Sequence, residues 1–149
     1  MSSVIGRKLK ISIFGQSHAE AIGVVIDGFP AGFAVDLEAL SSFMARRAPS
    51  GAAFATARNE ADAVEFVSGL VDGVTCGAPI CAMIRNTDTR SKDYSKLKAQ
   101  PRPSHADYAA ELRYGGAQDI RGGGHFSAPL SSGAVCGRRL VPAIFAKQG

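Results

Sequence analysis

Residues 9–26 read LKISIFGQSHAEAIGVVI, and how this stretch divides decides the architecture. Leu9–Phe14 alternates in the two-residue period of a strand with one buried face. Ile22–Ile26 is a second strand, closed by the turn residues Asp27-Gly28-Phe29-Pro30. The segment between them places His18 in a loop just past a strand end, where a side chain can face a cleft.

Outward from this pair, Asp36 is a good N-cap for a helix over Leu37–Arg47. Leu37, Leu40 and Met44 share one face of it, Arg46 and Arg47 fall in its last turn, and Pro49 and Gly51 stop it. Val64–Val71 and Ala78–Ile84 read as two further strands joined through a glycine-containing loop, and Asn86–Ser95 is polar and turn-rich. Ser104 caps a short helix that runs to about Tyr114 and ends at Gly115-Gly116. A last helix follows a glycine run, with Leu130, Ala134, Val141 and Phe145 on one side and Pro142 either kinking it or delaying its start. The pattern stops without a closing element, and its apolar faces outnumber the elements that could cover them. The expectation is an incomplete unit, with a larger protein or a partner supplying the missing cover.

Composition narrows the function classes. The chain has 149 residues, 46% hydrophobic and 20% charged, with a formal charge of +4. That suits one globular domain. The charge is dispersed, there is no Trp and aromatic content is 7%, which argues against a nucleic-acid partner. Mild basicity fits a small anion at least as well as a polymer. Cys76, Cys81 and Cys136 are odd in number and lack CxxC spacing, so they read as small buried residues in a reducing compartment, with no metal site. No apolar run approaches the roughly 18 residues of a membrane span, and the N-terminus lacks the apolar core of a signal peptide. The expectation is a cytoplasmic protein with no membrane partner.

The chemistry concentrates in loops. His105 sits in RPSHAD one residue past the expected N-cap, where a helix terminus favours anions. A phosphate bound there would restore the proton affinity of the imidazole, pairing an imidazolium with a leaving phosphate. His125 follows Arg121–Gly124, a run whose glycines let backbone amides approach a ligand. Each histidine taken singly also fits a polar loop residue satisfied by hydrogen bonds. Arg46, Arg47, Arg58, Arg102 and Arg121 lie near element ends, and arginine is the natural bidentate partner of carboxylate and phosphate. RGGGHFS is neither a dinucleotide fingerprint nor a Walker loop.

At these residues the chain resembles a known family. FGQSHAEAIGVVIDGFPAG, MARRAPS, TARNEAD, SGLVDGVTCGAPI, RNTDTRSKDY, PRPSHADYAAELRYGG and DIRGGGHFSA run in the order and spacing of chorismate synthase. The resemblance spans about Gly6 to Ala128 and implies the N-terminal portion of an enzyme twice as long or more. It implies an α+β fold, part of a β-α-β sandwich in which antiparallel sheets flank helices, assembled as a homotetramer when full length. It implies a phosphorylated small-molecule substrate, 5-enolpyruvylshikimate 3-phosphate, converted to chorismate by 1,4-elimination of phosphate. Reduced FMN is required, with NADPH as a reductant of the flavin. By motif position His18 and His105 are the catalytic acids, Arg46 and Arg47 bind substrate or NADP, and His125, Phe126 and Ser127 bind FMN.

The chain departs from the family pattern at several points. Gln16 and Ala19 stand where the first motif has Glu and Gly, Ser50 replaces a Gly, and Ala52-Ala53 falls where a basic residue is common. Past Ala128 comes Pro129-Leu130, and alignment requires a gap of about four residues, roughly one helical turn. A cation of that turn is missing. The alternative reading is an inactive fragment or degenerate copy that keeps the architecture without turnover.

Overall fold

The computed structural model describes residues 3–45, 63–86, 100–103 and 105–126. Its frame is a five-stranded antiparallel sheet made of β1 (Val4–Ile5), β2 (Lys10–Gly15), β3 (Ala21–Asp27), β4 (Val64–Ser68) and β7 (Ile80–Arg85), in the order β1-β2-β3-β7-β4. Helix α1 (Leu37–Ala45) and helix α2 (Asp107–Tyr114) make the fold α+β. A two-stranded hairpin, β5 (Leu70–Val71) and β6 (Val74–Thr75), stands apart from the sheet.

Register explains the burial. Ile11 pairs with Ile26, Ile13 with Val24, Val24 with Ala82 and Ile26 with Ile80, so one face of three strands carries the apolar residues. Val24, Ile26 and Ile80 are fully buried there, together with Leu40 and Met44 of α1. Asp36 caps α1 as expected, its carboxylate accepting the Ala39 N–H at 2.8 Å. On the opposite face Phe14 pairs with Gly23. A Cβ on Gly23 would lie 2.6 Å from the Phe14 ring, so the glycine makes room for an aromatic cover.

Three expectations are revised. The strand read as Val64–Val71 ends at Ser68, after a register shift at Phe66/Ser68. Gly69 then turns at φ 93°, where a Cβ would meet the Ile80 backbone. Leu70 and Val71 enter the hairpin, closed by Asp72-Gly73 with both φ positive, the preferred chemistry of a tight hairpin turn. Thr75 binds that hairpin to the chain before α1, donating to Pro30 O and accepting from the Phe33 N–H. The second revision concerns cysteine: Cys76 is exposed and Cys81 half-buried. The third is the start of α2, which begins at Asp107 with Ala106 as N-cap and no side-chain capping bond. Ser104 and the helix expected beyond Ala128 lie outside the described residues, as do Arg46, Arg47 and Ser127. Gly115 ends α2 in the left-handed conformation, as the sequence indicated. Among the described residues no helix is long and apolar enough to cross a membrane.

Candidate active site

Two loops meet at one end of the sheet. The first joins β2 to β3 and holds Gln16–Glu20, with the Ala19 N–H donating to Gln16 O at 3.1 Å. Pairing of β3 with β7 sets Ala21 opposite Arg85, so Asn86 emerges beside this loop. The Asn86 N–H donates to Glu20 O at 2.9 Å and its side-chain Nδ2 to Ser17 O at 2.7 Å. Ser17 and His18 are thereby buried although both are polar, at 4% and 9% exposure.

The second loop is a turn over Arg121–Phe126. Gly122, Gly123 and Gly124 have φ of 57°, 91° and 56°, a region that residues with a Cβ rarely adopt. This turn docks on the first loop: the Ser17 N–H donates to Gly124 O at 3.0 Å. A Cβ on Gly122 would lie 2.6 Å from His18 Cε1 and 2.8 Å from its Nδ1. The glycine is therefore required by the approach of the Ser17 hydroxyl, the nearest atom, together with the His18 ring. The expectation that the run frees its amides for a ligand is modified, since the Gly123 N–H donates back to Ile120 O at 3.3 Å.

His125 fastens the two loops. Its Nδ1 lies 2.8 Å from Gly15 O, and its Nε2 lies 2.7 Å from Ser3 Oγ. A carbonyl can only accept, so Nδ1 carries a proton and donates it to Gly15 O, while Nε2 and the Ser3 hydroxyl share the second bond. Phe126 follows, 38% exposed, with its ring centroid 6.4 Å from that of Tyr114. It lines a groove of about 420 Å³ with Ala106, Ala109, Ala110, Leu112 and Arg113.

Charge is organised by two arginine–aspartate pairs. Arg121 donates to Asp119 through its backbone N–H at 3.0 Å, Nε at 2.8 Å and Nη2 at 2.8 Å. These bonds hold the Asp119 carboxyl below its ordinary range against the opposing effect of burial, and the charge of His18 acts in the same direction. Arg121 is correspondingly raised, and its side chain remains 40% exposed. In the second pair Arg102 donates to Asp107 through Nε at 2.7 Å and Nη2 at 2.9 Å, and its backbone N–H adds a bond of 3.0 Å. This sets the Asp107 carboxyl at about 2, chiefly through the Arg102 side chain, with desolvation opposing.

The structure thus brings His18 and His125 into one pair of loops. His105 stands exposed in the turn before α2, its N–H directed at Arg102 O at 3.4 Å. Asn86 and Asp119 escaped the reading of the sequence. Asn86 looked like the first residue of a polar loop, and no local pattern says that its amide reaches Ser17. The assembly offers a buried imidazole, an exposed guanidinium and a carboxylate of low proton affinity. Such a set can hold or move a proton beside an anion.

Comparison with known proteins shows the family of the chain. The family model described as chorismate synthase matches residues 9–148. A chorismate synthase of Cytophaga hutchinsonii is 43% identical over 147 residues, covering 99% of this chain and 41% of the relative. One from Christiangramia forsetii is 49% identical over 143 residues, covering 96% of this chain and 39% of the relative. The chain spans about two fifths of the length of these relatives. A crystal structure of chorismate synthase superposes with a TM-score of 0.68 at 24% identity, over 96% of this chain and 35% of that one, and shows the same fold.

Proposed function

Because the chain belongs to the chorismate synthase family, we propose that it is the N-terminal portion of an enzyme that eliminates phosphate from 5-enolpyruvylshikimate 3-phosphate to give chorismate. The observation that carries the reading is the docking of the glycine turn on His18 in a chain matched by the family model over residues 9–148. It seats a buried imidazole near Asp119, and Asp119 in turn holds the exposed Arg121 cation; a proton donor and a cation are what departure of a phosphate dianion calls on.

In this reading His18 is an acid of the site and His105 protonates the leaving phosphate. Exposure of His105 leaves its ring accessible to a ligand on the α2 side. Arg46 and Arg47 bind substrate or NADP. His125, Phe126 and Ser127 hold the flavin, His125 as the anchor of the turn and Phe126 as the exposed surface. A flavin ring suits the chemistry here, because Phe126 offers an open aromatic face beside an apolar groove with Arg113 as its cation. Reduced FMN, when bound, supplies the transient electron density that loss of phosphate requires. NADPH is the proposed reductant of that flavin, and the full-length enzyme is proposed to be a cytoplasmic homotetramer.

The test is anaerobic phosphate release from 5-enolpyruvylshikimate 3-phosphate with chemically reduced FMN. It is run on this chain and on this chain joined to the C-terminal three fifths of the Christiangramia forsetii relative. Release by the joined protein, abolished or cut at least a hundredfold by His18→Ala or His105→Ala, is the expected result. No release by either protein, with the fold intact by circular dichroism, would make the chain an inactive copy.

A further inference from the structure

The pair Arg102–Asp107 has no part in the proposed chemistry above, yet it matches Arg121–Asp119 in its three bonds and is the more buried of the two. Asp107 is the first residue of α2 and its side chain is 7% exposed, while that of Arg102 is 21% exposed. Three donors of one residue converge on one carboxylate: Nε, Nη2 and the backbone N–H of Arg102. They tie residue 102 to residue 107, and His105 stands between these two tied points in the chain. The His105 N–H is directed at Arg102 O, so the backbone of His105 is held by the residue that also grips the start of the helix.

The same guanidinium reaches beyond this stretch of chain. Arg102 Nη2 donates to Ile120 O at 3.4 Å, and that carbonyl also accepts the Gly123 N–H at 3.3 Å. Ile120 is the residue before Arg121. Two steps further on, Gly122 lies against the His18 ring. One fork therefore ties the turn that presents His105 to the turn that seats His18. Lysine could keep the charge but not this arrangement, because a point ammonium cannot hold two carboxylate oxygens and a carbonyl in one plane.

We infer that Arg102, locked by Asp107, is a positioning residue that sets the His105 turn in register with the glycine turn against His18. The inference rests on the functional reading above for its purpose, though the coupling itself is a property of the fold. Arg102 does not touch the reacting atoms in this account. It acts by fixing where two other side chains stand.

The test combines a spectroscopic readout with turnover, so that the two ideas fail separately. Arg102→Lys and Asp107→Asn are made in this chain, and the imidazole Cε1–H signals of His18 and His105 are followed by NMR together with amide exchange of Gly122–Gly124. The expected result is a shift of both histidine signals and at least tenfold faster exchange in the glycine turn, with the amides of β3 and β7 unchanged. If Arg102→Lys does not fold, the nearly isosteric Asp107→Asn is read in the same way. In the joined protein Arg102→Lys lowers kcat at least tenfold and leaves KM within about twofold. Unchanged His18 signals and glycine exchange in both variants, with only global stability lowered, would reduce the pair to a helix staple and overturn the inference. Absence of turnover in the joined wild type would count against the functional reading alone, because the NMR comparison needs no turnover.

Discussion

The sheet and the loops at its end are held by different physics. β2, β3 and β7 are fixed by burial: Val24, Ile26 and Ile80 have no exposed surface, and their register follows from which face is apolar. The loops that carry His18 and the glycine turn are fixed by single polar ties, among them Ser17 N–H to Gly124 O, Asn86 to Ser17 O and His125 to Gly15 O. Apolar burial is additive and tolerant of small shifts in shape. Polar ties are few, directional and individually costly to lose. The site is therefore the part of the molecule that a conservative change can disable while the sheet survives.

The largest effect should come from the sheet. Ile26→Ala removes a fully buried side chain from the centre of the core and should cost about 2–5 kcal/mol, seen as a lower midpoint in urea with an unchanged slope. The histidine signals of the remaining folded population should be little altered. Next, Gly122→Ala combines a left-handed φ of 57° with overlap on the His18 ring, and should cost up to about 3 kcal/mol. Here the loss is confined to the site: β3 amides keep their protection while the His18 signals move. If β3 lost protection equally, the two regions would be one cooperative unit and the contrast would fail.

A smaller effect is set by pH. The Asp107 carboxyl titrates at about 2 in the folded chain against an ordinary 3.8. A folded value below the unfolded one means stabilisation that is fully present above about pH 4 and is lost as pH falls through 2. By linkage the loss is at most about 2 kcal/mol. Acid unfolding of Asp107→Asn should be correspondingly flatter between pH 4 and pH 2 than that of the wild type, and equal slopes would remove the pair from the account. The smallest effect belongs to an exposed pair on the sheet. Arg85 Nε lies 3.1 Å from Glu65 Oε2 with both side chains about half exposed, and Arg85→Ala should change stability by less than about 1 kcal/mol. A larger loss would mean that polar ties support the sheet as well.

The same contrast governs what could be read from the sequence. β2 and β3 were legible within one residue at each end because alternation is a local signal of burial. The cap at Asp36 was legible because its partner is three residues away. The break at Gly69 was hidden, since it answers to the approach of Ile80 from another strand. Ser104 looked the better N-cap on intrinsic grounds, but the cap falls two residues later, at Ala106, where Asp107 bonds to Arg102. Contact between His18 and Gly122 joins residues far apart in the chain, and no periodicity encodes it. Only the resemblance put both segments in one site, and it did so without the tie through Asn86 or the carboxylate of Asp119.

One measurement bears most directly on the central claim that two loops distant in sequence form a single site around His18. It is the nuclear Overhauser effect between the His18 Cε1 proton and the α protons of Gly122. A strong effect is expected in the wild-type chain, weakened or lost in Arg102→Lys. A wild-type His18 proton with no effect to Gly122, and with exchange contacts only to solvent, would contradict the claim.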